Sequence, residues 1–442
     1  MVPFEQLILP RPGHGLQAMM RRWEELHPVN AVHIVQLARP LPARQIQAAA
    51  DRVLERLLDA DCTTGTSGTP ADPVSLFDFE DRLVMGDWRE CLELAVTQEL
   101  NSPFDDDRPP FRIRLIELNG REQFLIFVYR HVIADARAVA LVIQELLNQL
   151  VPAGAHDSGR EAVIGGPNLP ELFPSEFDWR RRPAVAWHLL REWWQSRRCA
   201  QLHPSSDDDL RMEFQIHDSV LPLPALKQNC RRLGVTVNDL LLAAVLEWFA
   251  TRLPRRGAWK RDLAVATLVD ISQRAEPPQP RTFGQFVSQF VVRAPVQQDW
   301  SFEEIVGRVA TQTARLKQNG PLIDNSVGFE FLSRLWDWLP FVRHPRHLAW
   351  GLPLLAGVSN VNLSAIAGPD GWPSLIRRYY RGTCVTNMLP VMVTITSLGE
   401  TLSLTTTHRT ACFSADEVRQ LAAHIGRRLF WTAAEATERR AA

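Results

Sequence analysis

A histidine and an aspartate, spaced as His131-Val-Ile-Ala-Asp135, are the residues of this sequence best suited to acid–base chemistry. A neutral imidazole accepts a proton near pH 7, and a carboxylate four residues later would fix the loop that presents it. The spacing alone is weak, because a chain with 12 histidines contains it roughly 0.7 times by chance. Either His131 is a general base, or it is a loop histidine that caps the next helix.

The residues on either side of this pair favour the general base. Apolar and β-forming residues from Phe124 to Tyr129 predict a buried strand that ends at the histidine. After Asp135, apolar residues recur with a helical period at Val139, Val142 and Leu146. A histidine at the end of a strand is positioned for proton transfer, so acyl transfer is the leading hypothesis.

Composition limits the class of protein. The 442 residues are enough for two domains of roughly 200 residues each. A formal net charge of −1 argues against bulk nucleic-acid binding, which requires a strongly basic domain. Six scattered cysteines without zinc-like spacing predict reduced thiols in a cytoplasmic protein. We expect no signal peptide, because the first residues form neither a basic nor an apolar region. We expect no transmembrane segment, because no apolar run reaches about 18 residues.

Strands and helices alternate along both halves of the chain, which predicts the α/β class. The predicted strands are residues 31–37, 111–117, 123–129, 212–220, 263–270 and 285–292. The predicted helices include residues 42–58, 90–100 and 238–253. Capping motifs predict helix starts at Thr236-x-x-Asp239, Ser301-x-x-Glu304 and Ser414-x-x-Glu417. Asn119-Gly120 predicts a hairpin, residues 62–73 an irregular segment, and residues 151–174 a connector.

Four segments, taken in order, carry a resemblance that extends almost from end to end. They are Pro103-Phe-Asp-Asp-Asp-Arg-Pro-Pro-Phe-Arg-Ile-Arg-Leu115, Arg130-His-Val-Ile-Ala-Asp-Ala136, Gly234-Val-Thr-Val-Asn-Asp-Leu-Leu-Leu-Ala-Ala244 and Phe283-Gly-Gln-Phe-Val-Ser-Gln-Phe-Val-Val-Arg293. The set resembles the chloramphenicol-acetyltransferase-like superfamily, especially nonribosomal peptide synthetase condensation domains and wax-ester-synthase-like acyltransferases. The second segment is similar to the family signature His-His-x-x-x-Asp-Gly. Arg130 replaces its first histidine, Ala136 its glycine, and Ser288 an asparagine common in the last segment.

The resemblance implies an α/β protein of two chloramphenicol-acetyltransferase-like lobes with an active-site tunnel between them. The expected lobes are residues 1–175, which carry the His-x-x-x-Asp motif, and residues 176–442. Residues 283–293 are expected to form the strand that crosses between the lobes. His131 would lie midway along the tunnel and act as the general base, and no covalent acyl-enzyme is required.

The resemblance also implies roles for further residues. Asp135 is expected to form a structural ion pair with Arg274, although it would also serve as a simple helix cap. Ser288 either donates its hydroxyl to the developing oxyanion or is an ordinary hydrogen-bonded strand serine, which is the more frequent case. The other expected tunnel or substrate residues are Arg130, Gly284, Ser359 and Asn360.

The donor implied by the resemblance is an acyl-CoA or an acylated phosphopantetheinyl carrier protein, and the acceptor is an alcohol or an amine. No metal and no permanently bound cofactor is expected.

The basic, tryptophan-bearing segment at residues 180–198 would dock an acidic carrier protein, touch a membrane surface, or pack its aromatic face on the core, the last being the most frequent case. Residues 331–355 would line an acyl channel or form ordinary core. A non-catalytic interaction partner in a biosynthetic assembly is the alternative function, and dehydration or cyclisation on the same scaffold is a third.

Overall fold

Two mixed β-sheets form the framework of the protein in the computed structural model. The structure describes residues 15–62, 77–105, 111–151, 169–175, 177–202, 204–206, 209–253, 262–274, 282–295, 300–319, 322–338, 353–367, 372, 374–386 and 388–430. Most of the predicted irregular segment (63–73) and of the predicted connector (152–168) lies outside these residues.

The first sheet has five strands in the order β2-β3-β4-β1-β9, and the second has six in the order β5-β11-β10-β8-β6-β7. The strands are β1 (Asn30–Leu37), β2 (Phe77–Val84), β3 (Phe111–Leu118), β4 (Glu122–Arg130), β5 (Met212–Pro222), β6 (Leu263–Asp270), β7 (Val287–Ala294), β8 (Ala356–Asn362), β9 (Ile376–Thr383), β10 (Val391–Leu398) and β11 (Thr401–Arg409). The buried hydrophobic residues form two clusters, and the cluster around the first sheet also includes residues of β5 and β10 from the second sheet.

Helices cover these sheets. They are α1 (Leu16–Glu24), α2 (Ala43–Cys62), α3 (Trp88–Asn101), α4 (Ala136–Asn148), α5 (Leu169–Leu172), α6 (Arg182–Ser196), α7 (Leu223–Leu233), α8 (Val237–Arg252), α9 (Phe302–Asn319), α10 (Leu322–Leu335), α11 (Leu363–Ala367) and α12 (Ala415–Leu429). Within the described ranges, no single helix is long and apolar enough to cross a membrane; α7 and α8 reach that length and composition only as a pair bent by 85°.

Local signals in the sequence determine several of these elements. Asn119 and Gly120 both have positive φ, 52° and 65°, and join β3 to β4 in an antiparallel hairpin as predicted. The predicted capping box at the start of α8 is present, with the Thr236 side chain accepting from the amide of Asp239. The helix starts predicted at Ser301 and Ser414 are confirmed by the same kind of reciprocal bonding.

Residues 283–293 were expected to cross between the lobes, but the strand from the second half of the chain that joins the first sheet is β9. β7, which contains most of residues 283–293, pairs with β6 at the edge of the second sheet. β9 comes from the second half of the chain but pairs with β1 of the first sheet. Its Gly382 lets β9 approach β5, because an added Cβ would lie 2.8 Å from the ring of Phe214. The proposed lobe boundary between residues 175 and 176 stays a prediction.

The tryptophan-bearing helix is another difference. The sequence favoured packing of its aromatic face on the core, but Val185 and Ser196 are the buried residues of α6, and Trp187 and Trp194 are 69% and 66% exposed. In residues 331–355, which were expected to line an acyl channel or form ordinary core, Trp336 is fully buried whereas Trp338 is exposed. Residues 339–352 of this segment lie outside the described ranges.

A buried histidine of β11 predicts a loss of stability in acid. His408 is fully buried, and neither of its ring nitrogens makes a hydrogen bond to a described residue. Burial lowers the pKa of His408 to about 4, so the unfolded chain takes up this proton first as the pH falls below 6.5. Above pH 6.5 His408 is neutral in both the folded and the unfolded protein, so it does not make the free energy of unfolding depend on pH. As the pH falls from 6.5 towards 4, the free energy of unfolding declines by about 3 kcal/mol.

This decline is measured by urea unfolding of wild type and His408→Leu between pH 4 and pH 7.5. The variant should have a flatter pH dependence of the free energy of unfolding. Parallel curves for the two proteins would show that His408 is not responsible.

Candidate functional site

A cavity of about 160 Å³ lies between the two sheets and receives side chains from both. His33 of β1, Tyr129 of β4 and Arg381 of β9 line it from the first sheet. Asp270 of β6, Ser359 of β8 and Thr394 of β10 line it from the second. Apolar side chains that include Met20 and Trp23 of α1 complete the wall. The cavity thus joins parts of the chain that are far apart in sequence.

His131 lines this cavity from the residue directly after β4. Its backbone amide donates to the carbonyl of Val29 at 2.8 Å, which holds the end of the strand beside the start of β1. Its ring Nδ1 lies 3.1 Å from the carbonyl oxygen of Ala134. Because a carbonyl only accepts, the neutral ring carries its proton on Nδ1, and Nε2 keeps a lone pair. His131 therefore has the tautomer that a general base requires.

The surroundings of His131 also keep it neutral. Burial is the largest cause and lowers its pKa below the ordinary 6.5, and the charge of Arg381 lowers it further. The hydrogen bond to the Ala134 carbonyl acts in the opposite direction. Since lowering prevails, the imidazole is unprotonated and able to accept a proton at neutral pH.

Asp135 connects the histidine loop to both halves of the chain. It is fully buried, and its carboxylate caps α4 by accepting from the amide of Ala138 at 2.8 Å. The second carboxylate oxygen accepts from the amide of Phe286 at 2.8 Å, and the Asp135 amide donates to the carbonyl of Gly284 at 3.0 Å. Burial raises the pKa of this carboxyl, whereas the charge of Arg137 and the two backbone donors lower it. Asp135 thus fixes the loop through backbone contacts.

The predicted ion pair between Asp135 and Arg274 is not formed. Arg274 is exposed and donates to the carbonyl of Lys317 at 2.6 Å. The basic residue whose charge acts most strongly on Asp135 is Arg137, which lies 3.4 Å from Asp270. The backbone amides of Ala138 and Phe286 already occupy the carboxylate, so it does not need a distant arginine.

Three of the other predicted residues lie outside the cavity wall. Arg130 forms an ion pair with Glu24 of α1 at 2.8 Å. Ser288 is buried and donates its hydroxyl to the carbonyl of Leu322, which supports the interpretation as an ordinary strand serine. The carbonyl of Gly284 accepts from the amide of Asp135. Position 284 requires glycine because its φ is 148° and because an added Cβ would lie only 3.1 Å from the ring of Phe286. Ala136 keeps a negative φ, so it replaces the family's glycine without strain.

Ser359 and Asn360 line the cavity, and their role at a substrate tunnel stays a prediction. Ser359 leads to a residue that sequence reasoning missed. The Ser359 hydroxyl lies 3.4 Å from the guanidinium of Arg381, which is 4% exposed. Arg381 also donates to the Thr396 hydroxyl and to the Ile395 carbonyl, both at 2.9 Å. A signal for it existed in Tyr379-Tyr-Arg-Gly382, a charge placed within an aromatic strand.

Two tyrosines and a histidine surround Arg381 inside the cavity region. His33 Nδ1 lies 2.6 Å from the hydroxyl of Tyr379, and its ring contacts the ring of Tyr129. Burial lowers the pKa of His33, and Arg381 lowers it further, so His33 is neutral at pH 7. The hydroxyl of Tyr129 is buried and makes no hydrogen bond to a described residue. Arg381 is therefore the charged member of this group of four side chains, while Asp135, Arg137 and Asp270 line other parts of the same cavity.

Comparison of the sequence with known proteins gives partial matches. No protein-family model matches the chain. It is 26% identical over 188 residues to a putative diacylglycerol O-acyltransferase of Mycobacterium tuberculosis, which covers 39% of each chain. It is 26% identical over 251 residues to a nonribosomal peptide synthetase of Curvularia clavata, which covers 52% of this chain and 2% of the synthetase. The matched part is therefore less than half the length of these relatives.

Solved structures match over almost the whole chain. The TRI3 trichothecene 15-O-acetyltransferase of Fusarium sporotrichioides has a TM-score of 0.64 at 12% identity, with 95% of both chains covered. The first condensation domain of the CDA synthetase has a TM-score of 0.61 at 14% identity, covering 94% of this chain and 95% of that domain. The predicted α/β class and the resemblance to condensation-domain-like, chloramphenicol-acetyltransferase-like proteins are confirmed for the fold. The tunnel stays a prediction.

Proposed function

We propose that the protein is an acyltransferase that moves an acyl group from a thioester to an alcohol or amine, with His131 as the general base. The observation that carries this proposal is the 3.1 Å contact between His131 Nδ1 and the Ala134 carbonyl oxygen, beside a cavity between two sheets. This contact requires a proton on Nδ1 and so leaves the lone pair on Nε2. The fold is that of condensation domains and of an O-acetyltransferase. The sequence relatives include a putative acyltransferase.

The proposed reaction needs one proton transfer in each direction. His131 Nε2 accepts the proton of the acceptor hydroxyl or amine as its oxygen or nitrogen attacks the thioester carbonyl carbon. The resulting tetrahedral oxyanion collapses, the carbon–sulfur bond breaks, and the imidazolium returns the proton to the departing thiolate. Binding of both substrates in one cavity supplies the proximity that the reaction needs. The donor is an acyl-CoA or an acylated phosphopantetheinyl carrier protein, and no permanently bound cofactor takes part.

The test is thiol release from a panel of acyl-CoAs and acylated carrier proteins, each with and without mixed alcohols and amines. We expect release that depends on an acceptor, together with an ester or amide product found by mass spectrometry. The donor that reacts identifies CoA or carrier protein as its source. Release that is absent across the panel, or that does not change when the acceptor is omitted, would contradict acyl transfer and favour the non-catalytic alternative.

The pH dependence of activity follows from the lowered pKa of His131. The active form is the neutral imidazole, so kcat/KM should be level from pH 7 to pH 8.5. It should fall about tenfold per pH unit once the pH drops below a value that is itself under 6.5. A profile that is already falling between pH 8 and pH 7 would show that His131 is not held neutral. Stability at each pH is measured in parallel, because His408 responds in the same range.

A further inference from the structure

Arg381 is a buried cation in the wall of the catalytic cavity. It is 4% exposed, and its donors reach the Thr396 hydroxyl and the Ile395 carbonyl at 2.9 Å and Ser359 at 3.4 Å or more. All of these partners are neutral oxygen atoms. Burial lowers the pKa of Arg381 to about 10, so it still carries its charge at pH 7.

Several other buried or partly buried arginines form ion pairs with carboxylates. Arg112 and Arg114 share Glu99 at 2.8 Å, and Arg293 pairs with Glu192 at 2.8 Å. Among the described residues no carboxylate forms an ion pair with Arg381, and the ionisable groups that act on it are the phenols of Tyr129 and Tyr379. Because an uncompensated buried charge is costly, a site of this kind is suited to an anion that arrives from outside.

Tyr129 provides a second, independent indication. Its side chain is fully buried and lines the cavity, yet its hydroxyl makes no hydrogen bond to a described residue. A buried hydroxyl without a partner is unfavourable, so it is expected to be occupied when a ligand is bound. Arg381 and Tyr129 together offer N–H and O–H donors of the kind that bind a carboxylate.

The geometry points to a carboxylate-bearing substrate, whose anionic group binds Arg381 and the Tyr129 hydroxyl while the reacting group lies at His131. This inference rests on the proposed acyl transfer and adds the chemical class of one substrate. The carboxylate belongs either to the acyl chain, as in a dicarboxylic acid bound as its mono-thioester, or to an amino or hydroxy acid acceptor.

Kinetics distinguish these two sources. The donor arm compares succinyl-CoA with its terminal amide, and the acceptor arm compares amino and hydroxy acids with their carboxamides. In one arm, kcat/KM should be higher for the charged compound, and Arg381→Met should lower that charged-to-neutral ratio about tenfold to hundredfold. Arg378→Met is the matched control, because Arg378 is on the same strand but lies over the ring of Trp88 instead of lining the cavity. It should leave the ratio unchanged.

A binding measurement separates this inference from the proposed function. Calorimetry with succinate and succinamide needs no turnover, and succinate should bind more tightly to wild type. Tyr129→Phe removes only an unpartnered hydroxyl, so it should fold normally and lose about fivefold to tenfold in succinate affinity. Charge-selective binding without acyl transfer would refute the function alone. Acyl transfer without a charge preference, or equal losses on charged and neutral substrates in Arg381→Met, would overturn the carboxylate site.

The exposed surface of α6 supports a second inference on separate observations. The tryptophan face consists of Trp187, Leu190, Trp193 and Trp194 of α6 together with Trp179 in the turn just before it, and these side chains are 40% to 69% exposed. The arginines at residues 180, 182, 191, 197 and 198 are exposed around it. Between residues 179 and 198 the one acidic residue is Glu192, which is directed to Arg293. An exposed helix with tryptophan and arginine side chains and no exposed acid is typical of a helix at a membrane interface.

We infer that the tryptophan face binds the surface of an anionic lipid bilayer, with α6 lying in the plane of the interface. The indole rings suit the headgroup region because they are amphipathic, and the arginines are attracted to acidic headgroups. An acidic protein surface would attract the arginines but would offer no apolar environment for the exposed tryptophans. The tryptophans therefore favour a lipid bilayer over an acidic protein as the partner.

Sedimentation with vesicles tests this inference. Wild type should bind phosphatidylcholine vesicles that contain phosphatidylglycerol and should bind pure phosphatidylcholine weakly. The double variant Trp187→Ser/Trp194→Ser should lose about tenfold or more of this binding, because both side chains are exposed and their removal leaves the fold intact. Leu94→Ser on α3 is the control, since Leu94 is 62% exposed but far from α6 in sequence. No binding to anionic vesicles, or equal binding by the double variant, would overturn the inference, as would a carrier protein that binds this face in place of vesicles.

Discussion

His131→Gln should lose about a hundredfold to ten-thousandfold in kcat/KM for acceptor-dependent acyl transfer. Glutamine keeps a polar amide of similar size in the loop but has no basic nitrogen, so the substitution removes the proton acceptor Nε2. The loss should fall mainly on kcat, because proton acceptance belongs to the transition state and not to substrate binding. The measurement is steady-state thiol release with the donor and acceptor found in the panel.

A matched control is His27→Gln. His27 is also buried, its Nδ1 lies 3.0 Å from the Pro28 carbonyl, and burial lowers its pKa, but it does not line the cavity. If the role of His131 is chemical, His27→Gln should keep at least about half of the wild-type activity, since the substitution affects stability and not the reaction. Equal losses in the two variants would assign both residues to the fold, and full activity of His131→Gln would exclude the mechanism.

The part of the site that the sequence predicts correctly is local. The strand, the histidine, the aspartate and the following helix lie within residues 122–148, where hydrophobic periodicity and capping act over a few residues. Asn119-Gly120 fixes the hairpin that brings β3 beside β4 for the same reason. The cap formed by Asp135 also follows from sequence, because an aspartate before an apolar helical pattern is a helix start.

The part that could not be predicted depends on pairing between distant strands. Arg381 reaches the cavity because β9 pairs with β1, some 340 residues earlier in the chain, and no local pattern specifies that pairing. The predicted ion pair of Asp135 with Arg274 was wrong for a related reason. The carboxylate of Asp135 instead accepts from the amide of Phe286, which is 151 residues away in the chain. For α6, composition identified a basic, tryptophan-bearing segment but not which of its faces is buried, since tryptophan and arginine occur on core and exposed faces alike.

Asp135→Ala should lower the free energy of unfolding by about 3 kcal/mol, and this is the largest stability effect we expect from a single substitution at the site. The carboxylate accepts from the amides of Ala138 and Phe286, and its removal leaves two buried N–H groups without a partner. One of these amides belongs to the first turn of α4, and the other belongs to the segment before β7. The substitution therefore loosens the histidine loop at the point where it contacts the second half of the chain. Urea unfolding at pH 7 measures the loss.

Ser414→Ala provides the matched control for the cap alone. Ser414 caps α12 through the amide of Glu417, but it is exposed, so its removal should cost about 1 kcal/mol. The excess loss in Asp135→Ala then measures the buried contact with Phe286. The loss of unfolding free energy in Asp135→Asn should lie between those of Asp135→Ala and Ser414→Ala. The asparagine oxygen still accepts from one backbone N–H, but its NH2 group faces the second backbone N–H and cannot accept from it. If Asp135→Ala is no less stable than Ser414→Ala, the aspartate is not a structural tie, and any loss of activity that it causes must come from a direct effect on His131 or substrate.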